Sequence, residues 1–218
     1  MKNSEFVFPI TYGRSGSTLL MGILNSIEGY TITGENNNAF YELMKFHKKM
    51  YRAHMSYRMN SMPRGCRNSW WNTYSIDELN RYTREFTRNL IDKDARVVGF
   101  KEIRYPKTDL DDYLGWMHRV YHPKFIFLTR DLDDVCHSAW FAKNPERCTE
   151  RLSKFESYMY DYIDKHVEQE WIHVTYEQLC KNNLRELFEF LGEPYYPEAL
   201  QKNVLEVLYG YKNPNSRK

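Results

Sequence analysis

The residues best equipped for chemistry stand near the start of the chain, in "FPITYGRSGSTLLMGILNS" (residues 8–26). An apolar run breaks at Gly13 and Gly16 and resumes at helical spacing from Leu19. Two glycines permit a tight turn and close backbone approach. The N–H groups of residues 15 to 18 then open a helix, so their unsatisfied donors and the positive end of the helix dipole face one point. Ser15, Ser17 and Thr18 add hydroxyls and Arg14 adds a fixed cation. A plain strand–turn–helix junction with a serine cap requires neither both glycines nor three hydroxyls. A nucleotide triphosphatase loop would carry a lysine after Gly16 to reach the β- and γ-phosphates, with a Ser or Thr on Mg²⁺. Ser17 stands there instead. The loop therefore suits a transferable group less charged than a γ-phosphoryl, held by arginine and hydroxyl donors without metal.

A second strand-to-helix junction follows in "FIFLTRDLDDVCHSAW" (125–140), with Arg130 at the strand end and Ser138 eight residues later. If helical, the intervening chain rises about 12 Å, a span that a long arginine and a serine can bracket. Taken alone, a surface Arg130 paired with Asp131, Asp133 or Asp134 explains the same residues. Other polar residues also follow candidate strands, namely Glu35 after "YTIT" and Lys101 after "RVVGF". Glu35 reads as a carboxylate at the same mouth, or as a cap of the next helix beside Asn36. Lys101 reads as a second cation or as an ordinary strand-end lysine.

Together the two junctions resemble the sulfotransferases that use 3′-phosphoadenosine 5′-phosphosulfate (PAPS). The resemblance extends to "GFKE" (99–102) and "VTYEQL" (174–179), and leaves residues 40–95 unmatched. It implies that Arg14, Ser15, Gly16, Ser17 and Thr18 hold the 5′-phosphosulfate and that Arg130 and Ser138 hold the 3′-phosphate. It also implies in-line transfer of a sulfuryl group to a hydroxyl acceptor without metal. Tyrosylprotein and some bacterial carbohydrate members place a glutamate base about twenty residues past the loop arginine, where Glu35 stands. Small-molecule cytosolic members use a histidine after the third strand, and "GFKEIRYP" has none. Glu35, Arg14 and Lys101 are accordingly the catalytic candidates, with Glu102 and Arg104 as weaker acceptor-positioning residues. Tyr176, and Lys212 in the tail "LYGYKN" (208–213), are further nucleotide contacts implied by the family. The implied acceptor is a carbohydrate or other small hydroxyl compound, and a peptide tyrosine is a third option. The competing readings are a P-loop kinase or triphosphatase with a degenerate loop, and a nucleotide-binding protein without turnover. The central strand ends in Thr129-Arg130 and not in an acid for Mg²⁺, which argues against the first.

These residues need strands that alternate with helices. Strands are predicted over 5–10, 30–33, 96–101, 124–129 and 171–175. Helices are predicted over 16–29, 39–59, from Ser75 (a capping box with Glu78) to about 92, 109–121, from Asn144-Pro145 onward, and 176 to Gly192. Such alternation implies an α/β fold with a parallel sheet flanked by helices, here of the P-loop nucleotide-binding type, with ligands beyond the carboxyl ends of the strands. The 218 residues suit a single domain with a helical and loop insertion at about 36–95. Within it, 52–74 combines Arg52, Arg58, Arg64 and Arg67 with Trp70 and Trp71, either a lid over an anionic or sugar acceptor or a solvated loop.

Composition narrows the partners. A net charge of +2 argues against a dedicated nucleic-acid binder. Cys66, Cys136, Cys148 and Cys180 form no C-x-x-C pair and read as reduced thiols of a cytoplasmic protein. No apolar run approaches the ~20 residues of a transmembrane helix, and no signal-peptide core precedes the first strand.

Overall fold

The structure is a computed structural model that describes residues 5–59 and 73–197. Five parallel strands form its centre: β1 (Val7–Ile10), β2 (Tyr30–Thr33), β3 (Val97–Phe100), β4 (Lys124–Thr129) and β5 (Trp171–Thr175). Hydrogen bonding orders them as β1-β4-β5 and as β2-β3. Isolated parallel bridges, Phe6 to Val98 and Ile10 to Glu102, join the two groups into the order 2-3-1-4-5.

The seam between β1 and β3 has a sequence cause. Glu5 accepts from Val98 N–H while Phe6 accepts from Lys124 N–H, so the odd residues of β1 face β3 and the even ones face β4. Pro9 is odd, and without an N–H it leaves a gap in the ladder on that edge alone. Gly99 accepts the close approach, since a Cβ there would meet the Val7 carbonyl oxygen at 1.8 Å.

Strands β1, β3 and β4 are buried throughout, as expected of parallel strands covered on both faces. Their side chains alternate between two cores. Phe6, Phe8, Phe125 and Phe127 enter an aromatic core with Tyr113, Trp116 and Phe155, whereas Val7, Ile126 and Leu128 enter an aliphatic one. Helix α1 (Ser17–Asn25) lays Leu19, Leu20, Ile23 and Leu24 on the aliphatic side.

On the aromatic side lie α2 (Ala39–Met59), α4 (Leu110–Tyr121) and α6 (Pro145–Lys165). Phe40 and Met44 tie the start of α2 into this core, and α3 (Ile76–Ile91) packs on α2 and α4. The Ser75–Glu78 capping box opens α3, and Asn144 caps α6 by accepting from Arg147 N–H. The short α5 (Leu132–Cys136) follows β4, and α7 (Tyr176–Cys180) and α8 (Arg185–Leu191) follow β5.

Three expectations need correction. The helix expected over 176–192 is two helices separated by Lys181–Leu184, with Asn182 at φ +53° turning the chain, although Gly192 does end the second. The first helix stops at Asn25, short of Gly29. Cys136 and Cys148 are joined in a disulfide, so these two are not free thiols; Cys180 is free and exposed. The pairing arises because α5 packs on α6 and brings the end of one helix to the first turn of the other. No described helix is long and apolar enough to cross a membrane.

Candidate active site

Adjacent strands β1 and β4 connect onward in opposite directions across the sheet, which makes the crevice at their carboxyl ends the topological switch point. The chain turns there through Arg14 at φ +69° and Gly16 at φ +93° before α1 begins. Gly16 is the N-cap and supplies no side chain; its carbonyl accepts from both Leu19 and Leu20. The N–H groups of Ser17 and Thr18 in the first turn therefore face outward. A Cβ on Gly16 would lie 2.3 Å from the ring of Tyr176, so only glycine allows the turn and that ring to share the space.

The hydroxyls of the loop do different jobs. Ser15 is fully buried, and its Oγ donates to the Tyr12 carbonyl (2.8 Å). The Thr11 hydroxyl lies 2.7 Å from Ser15 Oγ and donates to Leu128 in β4 (2.8 Å). The side chain of Ser15 thus stitches the loop to the sheet, leaving its backbone N–H for a ligand. Ser17 is nearly buried, and Thr18 is half-buried at the mouth.

The second junction comes to the first. The stretch from Arg130 is helical only over α5, and Ser138 starts a short 3-10 turn. Ser138 Oγ accepts from Arg14 Nε (3.3 Å), and Arg130 donates to the Arg14 carbonyl (3.4 Å). Arg130 also pairs with the exposed Asp134 (3.1 Å) and stacks its guanidinium 4.3 Å from the Tyr176 ring centroid. Its Nε is buried and makes no hydrogen bond. Arg14, Gly16, Arg130, Ser138 and Tyr176 therefore form one cluster.

Glu35 is aimed by the run Asn36-Asn37-Asn38, of which the last two adopt left-handed backbone that asparagine tolerates. Lys101 donates to Glu35 Oε1 (2.8 Å) and Arg104 approaches Oε2 (3.4 Å). Beneath them Glu102 is fully buried, and its carboxylate accepts from the N–H groups of Asn38, Ile103 and Arg104 at 2.8–3.1 Å. A buried acid satisfied in this way is a fixed floor under Glu35 and Arg104. Glu35 lines a cavity of about 410 Å³ whose other walls include Gly13, Arg104 and Trp140.

Sequence reasoning passed over three residues. Tyr12, fully buried, donates to Glu156 (2.5 Å) and accepts from Arg130 N–H (3.1 Å), so it fixes the end of β4 against β1. Glu156 was readable as an acid on the apolar face of α6, among Leu152, Phe155 and Met159. Trp140, 5.6 Å beneath the Arg14 guanidinium, has no spacing signal at all. Lys212 and Arg64, Arg67, Trp70 and Trp71 lie outside the described residues; Arg52 is exposed on α2.

A profile of the sulfotransferase family matches residues 7–198. The chain belongs to that family. The expected P-loop type of α/β fold and the expected enzyme class, a PAPS-dependent sulfotransferase, hold with it. Among solved structures this sulfotransferase is similar to mouse sulfotransferase SULT7A1 complexed with PAP (3′-phosphoadenosine 5′-phosphate). Identity there is 15%, covering 100% of this chain and 68% of that chain, with a TM-score of 0.48. A sulfotransferase from Alicyclobacillus acidocaldarius is similar at 15% identity, covering 96% and 97% of the two chains, with a TM-score of 0.48. A retinol dehydratase in complex with retinol and PAP is similar at 13% identity, covering 99% and 68%, with a TM-score of 0.42. No curated protein matches the sequence.

Proposed function

We propose that this sulfotransferase seats the phosphosulfate of PAPS on the N–H groups of residues 15–18 and on Arg14. Arg130 and Ser138 take the 3′-phosphate, and the acceptor hydroxyl enters the cavity beside Glu35. The observation that carries this reading is the convergence of Arg130 and Ser138 on Arg14, in the turn that leads into α1: Ser138 lies 3.3 Å from the Arg14 side chain and Arg130 3.4 Å from the Arg14 carbonyl. Two arginines, of which one pairs with a single exposed acid, suit two phosphate groups of one nucleotide. The glycine turn under Tyr176 fits the same ligand. Tyr176 and Lys212 complete the proposed nucleotide contacts.

In the reaction the acceptor oxygen attacks sulfur in line, forming one S–O bond as the bond to the bridging phosphate oxygen breaks. The electron pair leaves on the phosphate of PAP, and Glu35 takes the acceptor proton. Arg14 and Lys101 stabilise the negative charge that develops on the bridging oxygen. Arg104 and Glu102 hold Glu35 in place. No step uses a metal ion, and turnover is expected to be insensitive to EDTA.

Replacement of Glu35 by Gln separates this from a binding protein. PAP should raise the melting temperature of both proteins equally, while sulfuryl transfer from labelled PAPS falls by about 10²–10⁴-fold in Glu35→Gln. Transfer at the parental rate in the variant would remove Glu35 from the mechanism.

A further inference from the structure

A second cavity, of about 340 Å³, adjoins the one beside Glu35, with Trp140, Phe141 and Arg151 common to both walls. The combined groove has an unusual charge. Lys107 and Arg151 line the first cavity; Lys143, Arg147 and Arg151 line the second. All four of these cations are exposed, and none makes a salt bridge among the described residues. The acid in the walls, Glu35, is already engaged by Lys101 and Arg104.

Ion pairing does not explain this arrangement. Arg147 and Arg151 stand four residues apart on one face of α6, where like charges repel. Arg147 also stands in its first turn, the end of a helix dipole that disfavours cations. A groove walled by uncompensated cations attracts and orients an anion. Its aromatic wall adds shape. Trp140 is 54% exposed although its ring packs 3.1 Å from where a Gly13 Cβ would sit and lies under the Arg14 guanidinium, and Arg151 stacks 5.9 Å from the Phe141 ring. An exposed flat ring offers its face to the C–H face of a sugar.

We propose that the acceptor is an acidic saccharide. One sugar ring lies on Trp140 with its hydroxyl at Glu35, and the carboxylate or phosphate of a neighbouring ring is held by Arg147, Arg151 and Lys143. The position of the hydroxyl rests on the sulfuryl-transfer reading; the anion subsite rests on the groove itself.

Calorimetry of the full chain, with and without PAP, tests this. The probes are a hexasaccharide of alternating glucuronate and N-acetylglucosamine, the same chain with its carboxylates reduced to alcohols, and an acidic tyrosyl peptide of equal charge. The acidic hexasaccharide should bind at least tenfold tighter than the reduced one and than the peptide. The double variant Arg147→Gln/Arg151→Gln should lose that preference, and Arg147→Lys/Arg151→Lys should keep most of it. Equal binding of the two hexasaccharides, no binding of the acidic one, tighter binding of the peptide, or a preference untouched by the Gln variant would each overturn the proposal. Failure of PAP to bind would overturn the donor site instead, with the saccharide preference still read on the free protein.

Discussion

Tyr12 is where the two halves of the proposed nucleotide site are coupled. Its hydroxyl accepts from Arg130 N–H and donates to Glu156, both across more than a hundred residues of chain. Phenylalanine at this position would leave the half-buried Glu156 carboxylate without its donor and free the end of β4, a loss of about 1–3 kcal/mol. In titrations, Tyr12→Phe is expected to weaken PAP about tenfold while leaving adenosine 5′-phosphosulfate, which lacks the 3′-phosphate, much less affected. Equal losses for both nucleotides would deny Tyr12 a role in setting Arg130. Glu156 gives a second test. Burial raises its carboxyl above the ordinary 4.5, and the Tyr12 hydrogen bond only partly offsets this. The folded state then binds this proton more tightly than the unfolded one, so its contribution to stability falls as pH rises from the unfolded value through the raised folded one. Urea melts of the parent and of Glu156→Gln should show the parent losing stability relative to the variant across that window, and a flat difference beyond it. A difference that does not change with pH would contradict the burial argument.

At the scale of elements, what lay within one stretch of chain was legible and what lay between stretches was not. The apolar run "KFIFLT" gave β4 with both ends correct, and Ser75–Glu78 and Asn144-Pro145 marked two helix starts by capping chemistry alone. Glu35, Lys101, Arg130 and the glycine turn followed from one rule, that polar residues just after parallel strands share a mouth. The same reasoning missed the break at Lys181–Leu184, where the turn depends on Asn182 and carries no Gly or Pro. It also missed the groove of Lys107, Lys143, Arg147 and Arg151, since three segments must fold before those cations meet. The disulfide belongs to this class: Cys136 ends α5 and Cys148 lies in the first turn of α6, and only their packing brings them together. It closes the segment that carries Ser138 and Trp140. Replacing both cysteines with alanine should cost about 2–4 kcal/mol. Thermal melts should register this as a drop of several degrees, with weaker PAP binding; an unchanged melting temperature would show that the crosslink constrains nothing.

For the whole molecule, the strand order 2-3-1-4-5 does the positioning. Strand β1 delivers the glycine turn and Tyr12, β4 delivers Arg130 beside them, and β3, one strand away on the other flank, delivers Lys101 to Glu35. The cluster of Arg14, Arg130 and Ser138 and the cavity beside Glu35 therefore adjoin at Gly13 and Arg14, the cavity walled by residues that follow β2 and β3 on one side and by Trp140, Phe141 and Arg151 on the other. The interruption at Pro9 falls on the β3 side, so the continuous β1-β4 ladder is the one that sets Arg130 beside the glycine turn, where the proposal places the two phosphates. A crystal structure with PAP bound measures this most directly. Its 5′-phosphate should accept from the backbone N–H groups of residues 15–18, and its 3′-phosphate should lie within hydrogen-bonding distance of both Arg130 and Ser138. A bound nucleotide whose 3′-phosphate points to solvent, or that sits away from the first turn of α1, would contradict the account.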